Sequence, residues 1–318
     1  MRVVGIESTA HTFGVGVVED GEIILNERRA YEPKEGGIHP REAAEHHANC
    51  AWEVLERALT KKPDYIAYSA GPGLGPCLRI GTLVARYLGI RFNVPLVPVN
   101  HAIAHIEVGL KTTGARDPVV VYISGGNTMV LAYRERWRVF GETLDIALGN
   151  ALDKLARKMG LAHPGGPKLE KLAEKARKWI DMPYVVKGMD LSYSGILTFA
   201  VNLLGKERNE DIAYSFQEHA FAMLVEVAER ALAHVGKDEL LLVGGVAQNR
   251  RLKEMFEVMC RERGAKFFAV PPEFAGDNGA MIAYSGYLRA RKGEVIPPEK
   301  AKYWQKLRVE EEAIERIK

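Results

Sequence analysis

Residues 3–6, 13–18 and 22–25 are apolar or alternating runs separated by the polar turns Glu7-Ser-Thr-Ala-His-Thr12 and Glu19-Asp-Gly21. This pattern predicts three short strands in a meander. The same unit recurs at 119–123, 129–133 and 137–140, around the turns Ser124-Gly-Gly-Asn-Thr128 and Arg134-Glu-Arg136. A repeated opening implies two related domains. Behind the first meander, helical periods at 43–59, 78–90 and 103–110 alternate with strands at 65–69 and 96–99. Behind the second, helices at 147–159, 169–178, 214–233 and 250–263 accompany strands at 239–243 and 266–269. The expected class is α/β, two mixed sheets each flanked by helices, with a ligand cleft between the halves. The polar, Gly-containing stretch 112–117 places the boundary, giving domains 1–115 and 116–293. The charge-rich tail 294–318 is expected to fray or to close as a helix that packs back on the first domain.

With 318 residues, 47% of them hydrophobic, the chain can bury a large core. A net charge of +3 is too mild to establish nucleic-acid binding, and the clusters at Arg157-Lys158, 168–178 and Arg250-Arg251 read as solvated helix faces. The three cysteines form no CxxC pair, and their odd number argues for a reducing cytosol and a packing role. Strand-like sequence begins at Val3, leaving no space for a signal peptide, and no apolar run approaches a membrane span. A cytoplasmic protein without membrane association is expected.

Candidate chemistry starts at Asn100-His-Ala-Ile-Ala-His105. Two histidines four apart on a helix project from one face and can grip one metal ion. Asp277, in the Gly-bounded turn Glu273-Phe-Ala-Gly-Asp277-Asn-Gly, is a candidate further ligand. The competing reading is an ordinary amphipathic surface helix. A metalloprotease would need Glu directly after the first histidine, and Ala102 stands there. Four turns can hold an anion on backbone N–H groups: Glu7-Ser-Thr-Ala10, Gly71-Pro-Gly-Leu-Gly-Pro76, Ser124-Gly-Gly-Asn-Thr128 and Gly244-Gly-Val-Ala-Gln-Asn249. Each alone is a weak signal, but their occurrence together is far more specific.

Paired hairpin turns and a late strand ending in Gly-Gly are similar to the actin, hexokinase and heat-shock ATPase superfamily. Glu7 stands where its kinases usually carry a metal-associated Asp, and 124–128 offers no second catalytic Asp, which points away from simple phosphotransfer. The ordered series Gly5-Ile-Glu-Ser-Thr9, Gly36-Gly-Ile-His-Pro40, Gly71 to Pro76, Asn100 to His105, Ser124 to Thr128, Asp153-Lys-Leu-Ala-Arg157, His163-Pro-Gly-Gly-Pro167, Ser192-Tyr-Ser-Gly195 and Gly244 to Asn249 resembles the tRNA N6-adenosine threonylcarbamoyltransferase family in its archaeal and eukaryotic form. The resemblance spans nearly the whole chain.

It implies two actin-like, ribonuclease H-like domains. It also implies transfer of threonylcarbamoyl from threonylcarbamoyl-AMP to N6 of the adenosine 3′ of the anticodon, in tRNAs reading codons that begin with A. By the same matching, His101, His105, Asp277 and Tyr122 are metal ligands, with iron or zinc the usual ion. Tyr122, Ile123, Ser124, Gly125, Gly126, Asp153, Gly166, Glu170 and Asn249 would contact the adenine nucleotide, ATP or threonylcarbamoyl-AMP. The implied partners are tRNA and the KEOPS complex with its small atypical protein kinase. The N6 amine is a weak nucleophile, so positioning and carbonyl polarisation should outweigh a general base, and none is assigned. His39 and His47 are either helpers or hydrogen-bonded scaffold. Leu74 and Cys77 stand where other members often carry different apolar residues. Trp52, Trp137, Trp179 and Trp304 read as packing aromatics. An actin-like ATPase or kinase and a nucleotide-binding scaffold subunit are the alternatives; two imidazole ligands weigh against plain kinase chemistry, which takes magnesium through oxygens.

Overall fold

In the computed structural model, strand β1 (Arg2–Glu7) is buried at all six positions because it is the middle strand of a five-stranded sheet. The structure describes residues 1–33, 37–311 and 313–317; Gly36 of the Gly36-to-Pro40 motif and Glu312 and Lys318 of the tail lie outside them. β1 pairs antiparallel with β2 (Thr12–Glu19), and β2 with β3 (Glu22–Ala30). On its other side β1 runs parallel to β4 (Tyr65–Gly71), followed by β5 (Leu96–Asn100), in the order β3-β2-β1-β4-β5. Side chains alternate across the sheet. Val4 and Ile6 share a buried cluster with residues of α1 (Pro40–Glu56) and α2 (Gly75–Phe92), including Cys50, Val54, Ala85 and Leu88. Val3 and Gly5 therefore face the opposite layer, the helix Gly279–Ala290. Helix α3 (His101–Thr113) follows β5 directly. Ile296, Leu307, Ala313 and Ile314 of the tail join the α1/α2 cluster, and the Trp304 N–H bonds to the Ala70 carbonyl.

The second sheet repeats the plan. β6 (Val119–Ile123), β7 (Thr128–Arg134) and β8 (Arg136–Glu142) are antiparallel neighbours, and β11 (Glu239–Val243) and β12 (Lys266–Ala269) add in parallel beyond β6, giving β12-β11-β6-β7-β8. Between β8 and β11 come α4 (Leu148–Lys158), α5 (Gly165–Ala173), a two-stranded β9 (Val186–Lys187) and β10 (Asp190–Leu191), α6 (Ser194–Asn202) and α7 (Asn209–Val235). α8 (Arg250–Glu262), the short α9 (Pro272–Ala275) and the helix Gly279–Ala290, numbered α10, complete the order. Two mixed sheets flanked by helices were the expected architecture. No helix among the described residues is long and apolar enough to cross a membrane.

Three expectations change. The chain divides into Met1–Val108 with Asp277–Lys318, and Gly109–Gly276. The second unit thus ends at 276 rather than 293, because α10 packs on β1, β2 and β4; the first boundary falls inside α3 rather than in the polar stretch 112–117. The helix expected at 169–178 runs instead from 165 to 173. Its start is set by Asp153, whose Oδ1 accepts the N–H groups of Gly165 and Gly166; beyond its end at Ala173, Asp211 Oδ1 takes those of Arg177 and Lys178. Trp52 and Trp179, expected to be packing residues, are half-exposed at 57% and 48%.

The contact between α10 and the first sheet is backbone to backbone. A methyl group on Gly5 would lie 2.1 Å from the Ala283 nitrogen, one on Gly16 2.3 Å from the Ala280 nitrogen, and one on Gly279 2.1 Å from the Val15 carbonyl carbon. Gly16→Ala is therefore expected to lower the unfolding free energy by about 3 kcal/mol through overpacking, read from the denaturant midpoint; an unchanged midpoint would disprove the close contact.

His47, on α1, is fully buried with its ring 5.6 Å from that of Phe13. Burial, aided by the neighbouring His46 and His11, pushes its pKa down to about 4 from 6.5. The folded value lies below the unfolded one, so the unfolded chain takes up the proton first. The stabilisation is complete above pH 6.5 and is lost as pH falls towards 4. Against a His47→Leu variant, the native chain should lose up to about 3 kcal/mol more stability between pH 7.5 and 4.5. Identical pH slopes in urea titrations of the two proteins would rule this out.

Candidate metal centre and nucleotide-binding turns

Asn100 closes β5, and its Oδ1 accepts the Ala102 N–H, capping α3 at its first turn. Its Nδ2 donates to the Arg308 and Glu311 carbonyls, tying the cap to the tail. His101 and His105 thus project from the buried first turns of α3, with ring centroids 4.7 Å apart and edge to face. Asp277, just ahead of α10, completes the group: its Oδ1 lies 3.5 Å from His101 Nε2 and 3.3 Å from His105 Nε2. One ligand atom from each of the three lies within 4.8 Å of the others. Asn278, whose side chain accepts the Met281 N–H, caps α10 and fixes the turn that carries Asp277.

Glu7 is the residue that sequence reasoning placed in a different role. It is fully buried, and its Oε2 accepts from His101 Nδ1 at 2.9 Å, while its Oε1 accepts the Thr9 N–H and hydroxyl. A carboxylate on Nδ1 orients the ring and leaves Nε2 as the donor atom towards a metal. Burial opposes charge on His101, but Glu7 and Asp277 outweigh it and hold its pKa up at about 9. His105 is pushed down by burial, against the pull of Asp277. Asp277 is held below the ordinary carboxylate range by the two histidines, despite its burial. Two nitrogens and one carboxylate oxygen, buried and converging, fit a borderline divalent ion.

A second device holds the helices that carry this group. Glu107, two residues beyond His105 on the unit's share of α3, accepts from Arg289 Nη1 at 2.9 Å and from the Ser285 hydroxyl, both on α10. Arg289 also donates to the Ser285 carbonyl. Nothing in the local pattern around Glu107 marks it for this role, since its partners lie about 180 residues away.

The other predicted site residues lie in the second unit. Tyr122 and Ile123 end β6, opposite Val243 of β11 and Thr128 of β7 respectively, and both are fully buried. The turn after them is closed by the Ser124 N–H on the Asn127 carbonyl and by the Asn127 N–H on the Ser124 hydroxyl. Gly149 of α4 packs on this turn, where a methyl group would meet the Ser124 carbonyl oxygen at 2.4 Å. Gly244 packs on Ile123, 2.2 Å from its carbonyl oxygen in the same sense, in a left-handed conformation with φ +96°. Asp153 caps α5 at Gly165 and Gly166, and its Oδ2 faces His163 Nδ1 at 3.6 Å. Glu170 Oε1 accepts the Arg250 N–H at the start of α8, and Asn249 caps that helix through the Leu252 N–H while donating to Gln217.

These residues therefore form a linked series, from the β6 turn through α4 and α5 to α8. Methyl groups on Gly126, Gly166 and Gly245 would meet nothing within 4 Å, so no protein contact fills the space over these glycines. The Ser192-to-Gly195 motif has a separate anchor. Asp145 accepts from the Ser192 and Ser194 hydroxyls and from the Tyr193 N–H, which, against partial burial, hold its carboxyl below the usual range. His39 is exposed at the start of α1, and His47 is part of the core.

The model of the tRNA N6-adenosine threonylcarbamoyltransferase family matches residues 21–284. The chain is 55% identical over 318 residues to the tRNA N6-adenosine threonylcarbamoyltransferase of Thermofilum pendens, covering 96% of this chain and 95% of that protein. It is 52% identical to the probable bifunctional tRNA threonylcarbamoyladenosine biosynthesis protein of Methanosarcina mazei, covering 99% of this chain and 60% of that longer one. Among solved structures, HypF of T. kodakarensis superposes with a TM-score of 0.62 at 18% identity, over 91% of this chain and 48% of that one, a likeness of fold. The fold is of the actin-like ATPase type, and the chain belongs to the tRNA N6-adenosine threonylcarbamoyltransferase family, a family of tRNA-modifying transferases.

Proposed function

We propose that this enzyme transfers threonylcarbamoyl from threonylcarbamoyl-AMP to N6 of the adenosine 3′ of the anticodon, in tRNAs reading codons that begin with A. The observation that carries the reading is the buried convergence of His101, His105 and Asp277 with Glu7 behind His101. His101, His105 and Asp277 would hold a divalent ion, iron or zinc, and such an ion would supply Lewis-acid polarisation of the carbamoyl carbonyl. Loading would require the proton on His101 Nε2 to leave, and Glu7 would keep the single remaining ring proton on Nδ1.

The turn 124–126, Gly166 and Asn249 cradle the adenine nucleotide, ATP or the adenylate, with open backbone over Gly126 and Gly166 to admit it. Glu170 Oε2, and Asp153 Oδ2 beside His163, are the carboxylate oxygens that accept ribose hydroxyls, since Oε1 and Oδ1 are taken by backbone N–H groups. In the reaction N6 attacks the carbamoyl carbon, the bond from that carbon to the phosphate oxygen breaks, and AMP departs with its electron pair while N6 gives up a proton. Holding the two reactants in line accounts for the rate without a dedicated base. The three free, buried cysteines fit a reducing cytoplasm. The separate partners are tRNA and the KEOPS subunits, including its small protein kinase.

His101→Ala and Asp277→Ala should each leave a folded chain that purifies without metal and transfers on the order of 10³-fold more slowly, the equivalent of several kcal/mol of carbonyl stabilisation. Full metal content by elemental analysis together with unchanged single-turnover transfer from labelled threonylcarbamoyl-AMP, with the partner subunits present, would refute the assignment. Asp153→Ala is expected to raise the adenylate Kd about tenfold while metal content stays intact, because it both frees the 165–166 turn and removes a ribose acceptor. Unaltered affinity by calorimetry would take Asp153 out of the pocket.

A further inference from the structure

Residues 154–178 hold eight Lys or Arg against two Glu, a net of +6, whereas the whole chain carries +3, so the other 293 residues sum to −3. Charge is therefore concentrated in about one-twelfth of the sequence. Within it, Lys154, Arg157 and Lys158 share the exposed side of α4, opposite its buried Ala151, Leu152 and Leu155. Lys168, Lys171 and Lys175 share an exposed stripe on α5 and the turn after it, spaced three and four apart, and α4 packs directly on α5.

Among the described residues none of the six has an ion-pair partner. The carboxylates that could neutralise them are turned elsewhere: Glu170 and Glu174 lie on the other flank of α5, where both bind Arg250, and Asp153 caps the Gly165-Gly166 turn. Arg157 and Lys158 gain from the dipole at the C-terminal end of α4, but Lys168 sits in the first turn of α5, where the helix dipole disfavours a cation. Lys168 Nζ donates instead to the Ala162 carbonyl, in the connector that also carries Gly165 and Gly166. Exposed, unpaired lysines kept against local electrostatics are the arrangement that meets a polyanion.

We infer that the outer faces of α4 and α5 form the tRNA-binding surface of this unit, holding backbone phosphates and delivering the acceptor adenosine to the adenylate cradled at Gly166. The inference rests on the proposed function for the location of the adenylate and on the family for the substrate. Phosphate, a point-charge acceptor without fixed orientation, suits lysine, and such contacts position the RNA without reading its sequence.

The test is binding of unmodified tRNA to the full-length chain without adenylate, by fluorescence anisotropy over a salt series. Lys168→Gln/Lys171→Gln/Lys175→Gln should weaken binding at least tenfold at low salt and flatten the slope of log K against log salt by about 2 to 3, at about 0.7 to 0.9 per lost phosphate contact. Lys154→Gln/Arg157→Gln/Lys158→Gln should act alike, and Lys61→Gln/Lys62→Gln, exposed in the first unit, should change neither quantity. In the complex the α5 variant should raise KM for tRNA while metal content and adenylate affinity stay native, which separates failure here from failure of the transferase site. Native affinity and slope in both triple variants, no measurable tRNA binding by the native chain, or lost affinity for polyglutamate with tRNA binding intact would each overturn the inference, the last by assigning the face to an acidic protein.

Discussion

The backbone contact between α10 and the first sheet is the constraint on which the candidate metal centre depends. Gly5, Gly14 and Gly16 on the strands and Gly279 on the helix carry no side chains into that contact, so the helix lies against the strands at backbone distance there. Asp277 is two residues before the start of α10, and Glu7 is two residues after Gly5. One close approach therefore sets both carboxylates relative to the histidines of α3. The Glu107–Arg289–Ser285 network acts on the same pair of helices from further along, so that α3 and α10 are held at two points. Breaking such a buried pair by removing one partner leaves an uncompensated charge, which is why the network constrains geometry more than it adds stability.

The electrostatics of the centre follow from that packing. Two carboxylates and two imidazoles are packed together with little exposure, and Glu7 and Asp277 hold the pKa of His101 up against its burial while burial pushes that of His105 down. A divalent cation in place of that proton would neutralise the same two carboxylates and satisfy both Nε2 atoms. The protein is built for positive charge at this position, and the ligand set selects what form it takes.

In the second unit the predicted nucleotide residues are built into the ends of helices. Asp153 and Glu170 each use one carboxylate oxygen on a helix N-terminus, which orients the other oxygen, and Asn249 uses its Oδ1 on the Leu252 N–H, which orients its amide nitrogen towards Gln217. The glycines divide into two kinds. Gly149 and Gly244 are required by close packing, whereas Gly126 and Gly166 border open space.

The sequence by itself determined the duplicated meanders, the strands of both sheets to within a few residues, the helical HxxxH pair and the family. Each of these rests on local periodicity, turn chemistry or motif order, which need no knowledge of distant residues. It did not disclose α10, whose two glycines argue against a helix in isolation and which packs on the sheet. Nor did it show that Glu7 is the partner of His101, that Asp153 caps the start of α5, that Glu107 meets Arg289, or that the lysines of α4 and α5 are left without carboxylates among the described residues. Those were decided by tertiary structure alone, because charge pairing and capping are contacts between segments tens to hundreds of residues apart, and their energies depend on distance and burial that no local pattern encodes.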